Sequence, residues 1–479
     1  MPARDAFIAA GLDRRTDDPA ALTLRGRLLK EAAGARTGIE RSALLTQAAE
    51  AYAAAARLAP ATYPLINAAT LALLGGARER SARLASETLA LLDSGAHEPE
   101  TRYWIGATRA EALLLLGRGG EARAALRAAI AGTPRAWEDH AVTIRQFRLI
   151  LAELGEPAAW LDACRPPPML HFAGPIGIAS DDGQLARAIE MAIAPIAPGV
   201  AVGALAAGFD IVAAEALLRA GTELHIVLPS APEAFVEASV LPSGAAWRPR
   251  FDALLAAAAR VDTLDLSAGL SAGGALLAEE MALGCVMREA RSLDVDAIML
   301  RMKGSARDSD PDERAGLRRI AVRGAASAGA TGVSLDQPDR PVALLGCRHA
   351  AADRLADLAG GPVHLTPAGV FATRDDLGEA ASLAIALFHA DPDTHPVLDY
   401  VPACADGSAD TAAIDALLAI PAPRYPIATR QAALALDVRD GSFRTAVAGA
   451  SAGLTGTVEY FSLVDAAVTP PDPTAGAAN

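Results

Sequence analysis

Three patterns of apolar and polar positions follow one another along the chain. In residues 1–165, apolar side chains recur at every third or fourth position, with alanine at many of them. The breaks between the periodic segments are short and fall at Pro60, Gly75–Gly76, Gly117–Gly120 and Gly132–Pro134. This period is typical of amphipathic helices joined by tight turns. It predicts an all-helical domain over residues 1–165.

Two segments of this helical region have the character of repeat units. Residues 48–60 form an Ala-rich helix that closes on Pro60, as the second helix of a tetratricopeptide repeat (TPR) does. Residues 103–125 place small side chains where neighbouring helices would approach closely. The spacing predicts a TPR-like helical repeat, and a plain Ala-rich helical bundle is the alternative.

A second pattern begins at the three prolines of residues 166–168, none of which can donate a backbone hydrogen bond. Short apolar runs then alternate with helical periods up to about residue 335. The alternation predicts a Rossmann-like parallel α/β domain over residues 166–335. Its predicted strands cover residues 169–173, 200–202, 223–228, 261–264 and 296–301, and its predicted helices cover residues 183–193, 211–220, 249–260 and 275–292.

A third pattern covers residues 336–466. The order strand, helix, two strands, helix, strand is that of a split βαβ unit, so we expect a ferredoxin-like α+β domain. The charged stretch 304–314 is predicted to be an exposed loop, and the Pro/Ala-rich residues 467–479 a disordered tail. The predicted fold class is therefore multidomain, α followed by α/β and α+β.

Composition and charge narrow the classes of function. Hydrophobic residues make up 52% of the chain, which excludes a disordered protein, and the formal net charge of -14 disfavours nucleic acid and anionic membranes as partners. Residues 1–12 contain no continuous apolar segment, so no signal peptide is predicted. The uncharged segment 191–209 is broken by prolines and glycines, which favours turns and a buried strand over a membrane span. We expect a cytoplasmic protein.

Motifs that carry catalysis are scarce. The sequence has no GxSxG elbow, no P-loop and no HExxH helix. Its four cysteines lie far apart, and its eight histidines show no ligand spacing, so neither a zinc site nor a disulfide framework is predicted. We therefore predict no catalytic residue, no metal and no cofactor.

The loop from Gly203 to Asp210 is the first candidate ligand site. It joins a predicted strand to a predicted helix, and its small residues would let a phosphate reach backbone N–H groups. Gly174 and Gly177 in the loop after the first strand would face the same crevice. The alternative is that these glycines, with Gly208, only form turns and close packing. Asp210 is interpreted as a helix cap, with ribose binding as the alternative.

The second candidate site opens a later predicted helix. Gly273, Gly274 and Glu280 resemble the PGGxGTxxE motif of LOG-type phosphoribohydrolases. The Gly and Thr of that motif are replaced by Leu276 and Leu277, which removes groups that would hold a phosphate. A helix N-terminus without a ligand is the alternative interpretation.

A broader resemblance extends over the second region. The chain resembles bacterial tetratricopeptide proteins with a SLOG-like Rossmannoid domain along residues 171–174, 203–211, 215–218 and 221–229. SLOG domains bind nucleotides or nucleotide-derived signals, so the resemblance implies such a ligand. The polar residues expected in the two loops are replaced by Pro175, Ala204 and Ala207.

The helical region of such proteins resembles the TRAF-binding helices of ASK-type MAP kinase kinase kinases. Here the stretch from Tyr63 to Thr70 and the stretch from His140 to Phe147 carry that resemblance. It implies a protein partner for the N-terminal helices.

The C-terminal third resembles a class III nucleotide cyclase domain along residues 342–345, 369–371, 375–381, 443–447 and 456–463. The two metal-binding Asp residues of that family fall on Cys347 and Ala368, and its transition-state Asn and Arg fall near Ala412 and Ala416. The resemblance therefore implies a degenerate cyclase domain. Since class III cyclases build their sites between two such domains, it also implies a homodimer through residues 336–466.

These expectations combine into a non-catalytic signalling or scaffold protein. Helical repeats would bind a partner, a SLOG-like domain would sense a nucleotide, and a pseudo-cyclase domain would dimerise. The alternative is a nucleotide-processing enzyme, cyclase-like or phosphoribohydrolase-like, which would use the segment Gly203–Asp210 and Glu280. The sequence leaves open whether the chain is an enzyme.

Overall fold

A computed structural model describes residues 2–264, 271–303, 316–324, 340–403, 409–439, 441–452 and 457–466. The chain divides into two compact units, Met1–Pro166 and Pro167–Val468. The predicted loop at 304–314, the predicted boundary at residue 335, Cys404 and the predicted tail at 467–479 all lie outside the described residues.

The first unit is built from helices, as the 3.6-residue period predicts. They are α1 (Pro2–Ala9), α2 (Pro19–Gly34), α3 (Gly38–Leu58), α4 (Thr62–Leu74), α5 (Arg78–Ser94), α6 (Arg102–Leu115), α7 (Gly119–Gly132) and α8 (Trp137–Leu154). Consecutive helices from α2 to α7 pack against each other, and α4, α6 and α8 also pack together. This arrangement of paired helices fits a TPR-like region.

Small residues bring the helices of the first unit close together. A Cβ atom on Gly26 would lie 2.6 Å from the Tyr52 ring, so glycine is required where α2 crosses α3. Gly106 has the same relation to Ala129 across α6 and α7. The small side chains of this unit thus allow close helix packing, and Phe147 and other large side chains fill the remaining core.

The second unit contains a six-stranded parallel sheet. Its strands are β1 (Met169–Phe172), β2 (Val200–Gly203), β3 (Glu223–Leu228), β4 (Arg260–Thr263), β5 (Ala297–Met302) and β6 (Leu317–Val322). They lie in the order β4-β3-β2-β1-β5-β6. The predicted parallel α/β sheet is confirmed, but the edge strand β6 was not predicted. Arg318 and Arg319 interrupt its apolar run because this strand is largely exposed.

Five helices accompany this sheet: α9 (Gly183–Ile193), α10 (Phe209–Arg219), α11 (Pro232–Phe235), α12 (Trp247–Ala257) and α13 (Ala272–Leu293). One face of the sheet shares a core with α9, α10 and α12, in which Phe172, Phe209, Trp247 and Phe251 are fully buried. Helix α13 crosses β1, β2, β3 and β5.

A second, mixed sheet has seven strands. They are β7 (Pro341–Cys347), β8 (His364–Leu365), β9 (Val370–Arg374), β10 (Val397–Pro402), β11 (Ile427–Thr429), β12 (Phe443–Ala452) and β13 (Thr457–Asp465). Their order is β12-β13-β11-β10-β7-β9-β8. The accompanying helices are α14 (Ala352–Ala359), α15 (Leu377–Ala390), α16 (Ala412–Leu418) and α17 (Arg430–Asp437). Strands β7 to β10, with α14 and α15 between them, follow the predicted order of elements.

Helix α13 packs against both sheets. Besides the first sheet it contacts β7, β10 and, most closely, α17. A Cβ atom on Gly284 would collide with the Leu434 carbonyl, so the α13 and α17 backbones touch. Arg288 and Arg291 of α13 both pair with the buried Asp437, and Arg288 also donates to Thr445 at 2.5 Å. The two sheets are therefore parts of one unit that share a helix.

Candidate functional site

Asp210 lies at the centre of the first candidate site, but it does not cap its own helix. Helix α10 has Gly208 as its N-cap and no side-chain cap. The buried Asp210 carboxylate accepts instead from the Gly174 N–H at 3.0 Å and from the Ala206 N–H at 3.4 Å. The capping interpretation was wrong, because a backbone donor 36 residues away reaches this carboxylate.

The glycines of the same site are positions of close contact. A Cβ atom on Gly174 would collide with the Phe209 ring, one on Gly203 would lie 2.5 Å from the Phe172 carbonyl oxygen, and one on Gly208 would lie 2.7 Å from the Pro175 carbonyl oxygen. Gly177 and Gly208 both have a positive φ, 85° and 125°. Packing and turn geometry are sufficient to explain all four glycines.

The loop after β1 covers the start of α10. Its Pro175 carbonyl accepts from the Phe209 N–H at 3.2 Å, and Ile176 forms a bridge with Gly208. Farther along, the Ser180 carbonyl accepts from Arg250, whose guanidinium also pairs with Glu215 at 2.7 Å. A backbone N–H that would receive a phosphate at this helix start is thus bonded to the protein itself.

The residues of the second candidate site have different surroundings in the structure. Ser271 caps α13 by accepting from the Gly274 N–H at 3.0 Å, and Gly273 and Gly274 are buried in the first turn. Glu280, two turns farther on, pairs with Arg439 at 3.3 Å. The same guanidinium reaches the Tyr400 hydroxyl at 3.4 Å. Glu280 therefore joins the contact between α13 and the second sheet.

The positions that the cyclase resemblance assigns to metal binding lie side by side. Cys347 ends β7 opposite Val370, two residues after Ala368. Burial raises the pKa of the Cys347 thiol to about 12. The Ala368 N–H donates to Asp415 of α16 at 3.1 Å. Sequence reasoning missed this carboxylate, whose contact lies 47 residues away along the chain.

The helical unit contains a groove that no motif indicated. It is a cavity of about 370 Å³, which is within the range of small-ligand and side-chain pockets. We call it the α2–α4 groove, and it is lined by Pro19, Ala20, Thr23, Leu24, Arg27, Ala55, Ala59, Ala61, Tyr63 and Pro64. Leu24 and Tyr63 are each 39% exposed, so two large apolar surfaces at this groove face solvent.

The start of α4, which forms one wall of the groove, is held from a distance. Its N-cap, Ala61, has no capping side chain. The Glu98 carboxylate accepts instead from the Thr62 N–H at 2.8 Å and from the Tyr63 N–H at 3.2 Å. A carboxylate at this end also suits the helix dipole. Glu98 therefore fixes the backbone that carries Tyr63.

A polar cluster begins one helical turn beyond the groove. We call Lys30, Thr70, Glu111 and Gln146 the Glu111 cluster. Glu111 Oε1 accepts from Thr70 Oγ1 at 2.5 Å and from Gln146 Nε2 at 3.1 Å, which joins α4, α6 and α8. Burial raises the pKa of Glu111 and lowers that of Lys30, while the charge of each partly offsets the shift of the other. Both side chains keep some accessible surface.

This cluster unites the two stretches singled out by the resemblance to TRAF-binding helices. Thr70 closes the stretch that begins at Tyr63, and Gln146 lies in the stretch from His140 to Phe147. Tyr103 reinforces the second stretch, since its hydroxyl donates to Thr143 at 2.9 Å. No role was predicted for Lys30, although only two lysines occur among 43 basic residues. That rarity was the available signal.

Two further observations concern sites and membranes. Among the described residues, no three His, Cys, Asp or Glu side chains lie close enough together to hold a metal ion. No helix within the described ranges has the length and apolar character needed to cross a membrane.

Comparison with known proteins places the N-terminal helices in context. The family model described as Tetratricopeptide Repeats-Sensor matches residues 3–72, which include the whole α2–α4 groove and Thr70 of the Glu111 cluster. No curated protein matches the chain. The N-terminal helices of this chain are therefore similar to sensor-type tetratricopeptide repeats.

Proposed function

We propose that this chain is a non-catalytic signalling or scaffold protein whose helical unit binds a partner protein at the α2–α4 groove. The observation that carries the proposal is the convergence of three independent features. The cavity, the match to sensor-type repeats, and Lys30 and Thr70 of the Glu111 cluster all fall on helices α2 to α4. TPR-type repeats generally bind proteins through such surfaces.

The groove has the chemistry of a peptide-binding surface. Four alanines, Ala20, Ala55, Ala59 and Ala61, lie in its lining and leave room, while Leu24 and Tyr63 offer partly exposed apolar area. Aromatic and aliphatic anchors next to polar groups are typical of interface centres. A cavity of this volume has room for an apolar side chain from a partner.

Photo-crosslinking tests this proposal. The full chain carries p-benzoylphenylalanine either at Asn67, on the α4 face between Tyr63 and Thr70, or at Arg83 on α5 as the matched control. We expect a discrete adduct from the position-67 protein only. The partner identified in it should bind the purified full chain and lose affinity for the Leu24→Asp variant. Equal adducts at both positions, or none at position 67, would overturn the proposal.

We further propose that the parallel-sheet half derives from a SLOG-like nucleotide sensor that has become structural. Hydrogen bonds at two positions support this assignment. The Pro175 carbonyl accepts from the N–H group at the start of α10, and the Asp210 carboxylate accepts from backbone N–H groups. A thermal-shift panel of nucleotides tests it. We expect no stabilisation, whereas a ligand present at 100 times its dissociation constant would add about 2.7 kcal/mol. A clear shift would favour the nucleotide-processing alternative.

The C-terminal half is proposed to be a ferredoxin-like pseudo-cyclase domain that dimerises. The order β10-β7-β9-β8 supports a ferredoxin-like core. Cys347 and Ala368 supply no carboxylate where the resemblance requires two. We expect no cyclic nucleotide from ATP or GTP with Mg²⁺ or Mn²⁺, and a dimeric mass by light scattering at micromolar concentration. Turnover would contradict the first point, and a monomeric mass the second.

A further inference from the structure

Lys30 is a largely buried cation of the helical unit, and no described residue pairs with it directly. It is one of two lysines in the chain, and it makes no hydrogen bond or ion pair with any described residue. Burial among the helices lowers its pKa, although the nearby charge of Glu111 opposes that shift. Holding an ammonium in such surroundings without a partner costs free energy. A ligand that supplied an anion would recover part of that cost.

Arg27 presents a second cation on the same face of α2. It precedes Lys30 by three residues, so the two lie about 4.5 Å apart along the helix axis. Its Nε atom donates to Glu31 at 3.2 Å, which leaves the two terminal guanidinium nitrogens without a hydrogen bond among the described residues. Arg27 also lines the α2–α4 groove, and none of the ten lining residues is acidic.

Two carboxylates act on Lys30 electrostatically, Glu111 and Glu31, and both are hydrogen-bonded to other groups. Glu111 Oε1 is held by Thr70 and Gln146, and its carboxylate lies beyond 4 Å from the Lys30 ammonium. The raised pKa of Glu111 also weakens it as a counter-ion. The cation is thus set beside carboxylates that make no hydrogen bond or ion pair with it.

We propose that the α2–α4 groove selects an acidic segment of a partner protein, with an apolar side chain in the cavity and a carboxylate on Lys30 and Arg27. This inference rests on the proposed function and adds the chemistry of the partner to it. The cavity accommodates the apolar anchor, and the two cations one turn apart lie where an adjacent carboxylate would reach them. Charge-assisted hydrogen bonds of this kind would give specificity.

Paired synthetic peptides provide the probe. Each is an end-blocked, fluorescein-labelled heptapeptide of glycine and serine with one leucine, followed one to four positions later by glutamate or, in its twin, by glutamine. Binding to the full chain is read by fluorescence anisotropy. We expect at least one glutamate peptide to bind about tenfold tighter than its glutamine twin. Added salt should reduce that difference.

Three variants assign the effect to the cluster. Lys30→Met should abolish the preference for glutamate, whereas Lys303→Met, which removes the other lysine, should leave it unchanged. Glu111→Gln keeps an oxygen for Thr70 and Gln146 and removes a competing negative charge. It should therefore tighten the glutamate peptide, by about threefold. If Glu111→Gln weakens binding of the glutamate peptide, Glu111 does not compete with the peptide carboxylate and the proposal is overturned.

Amine acetylation followed by mass spectrometry gives a readout that does not depend on variants. The glutamate peptide should slow acetylation of Lys30 several-fold relative to Lys303, and the glutamine peptide should not. Equal binding of the twins, or no peptide binding while the position-67 crosslink persists, would refute the acidic partner and leave the proposed function intact. Loss of the crosslink as well would remove both.

Discussion

The crevice beside α10 and the groove beside α2 differ in what their polar groups are doing. In the crevice, the Asp210 carboxylate accepts hydrogen bonds from backbone N–H groups, and the N–H group at the helix start donates to the Pro175 carbonyl. Beside the groove, Lys30 makes no hydrogen bond or ion pair with a described residue, and Arg27 keeps two guanidinium nitrogens without such a bond in the same part of the chain. The comparison teaches that a glycine-rich motif can describe a closed packing site, while an Ala-rich surface without a motif can leave charges available to a ligand.

The largest expected effect tests whether the crevice is a packing site. Gly174→Ala would drive a methyl group into the fully buried Phe209 ring, and we expect it to destabilise the second unit by about 3 kcal/mol. Urea unfolding followed by tryptophan fluorescence measures the change. Gly183→Ala, whose Cβ would meet only Arg187 at 3.6 Å, is the matched control. A well-tolerated Gly174→Ala protein would show that the crevice is looser than described.

The next effect concerns a buried carboxylate in the second unit, one oxygen of which has no hydrogen bond. Asp399 on β10 accepts at Oδ1 from Thr429 at 2.5 Å and from Tyr400 N–H at 2.8 Å, while Oδ2 has no hydrogen bond. Burial raises its pKa to about 6, and the nearby charge of Asp410 adds to that rise. The unfolded value is about 3.9.

A folded pKa above the unfolded one means that the folded state loses stability as pH rises from about 4 to about 6. Asp399→Asn should remove this loss. The variant should exceed the natural protein by about 2 to 3 kcal/mol at pH 8, and the gap should close below about pH 4. Denaturant unfolding at several pH values measures it. A gap that does not vary with pH would contradict the raised pKa of Asp399.

Asp210 offers a direct contrast between a structural and a ligand-binding carboxylate. Asp210→Asn would keep one acceptor oxygen but set its NH₂ against one of the two backbone donors, Gly174 or Ala206, and we expect a loss of about 2 kcal/mol. A group reserved for a ribose would instead change nucleotide binding and leave the free energy of unfolding almost unchanged. Unfolding and nucleotide titration of the same preparation separate the two cases.

The smallest expected effect lies in the groove. Lys30→Met keeps the aliphatic stem and removes an ammonium that no described residue pairs with, so the free energy of unfolding should stay unchanged or rise by at most about 1 kcal/mol. The same variant is expected to lose the preference for glutamate peptides. A large destabilisation would mean that Lys30 is part of the structural core, and the contrast between the two regions would disappear.

The features that could be predicted from the sequence are those set by local periods. The helices of the first unit and five parallel strands follow from the spacing of apolar residues, because burial on one face imposes that spacing. The exposed strand β6 breaks this rule, since Arg318 and Arg319 lie where an apolar pattern would be sought.

Contacts between distant residues could not be read from local patterns. Asp210 finds its donor at Gly174, Asp415 at Ala368, and Glu111 lies 81 positions after Lys30. No period links such positions, so the capping of α10 was misjudged and the Glu111 cluster was missed. Gly284 shows the same limit, because its role depends on a carbonyl of α17.

The shared helix α13 makes the second unit indivisible. A cut between residues 325 and 339 would place α13 on one piece and α17 on the other. The two helices would still be joined by the contact at Gly284 and the ion pairs on Asp437. The two halves could not be exchanged between proteins as independent modules without exposing that seam. Any change of partner or ligand during evolution would have had to preserve both sides of it together.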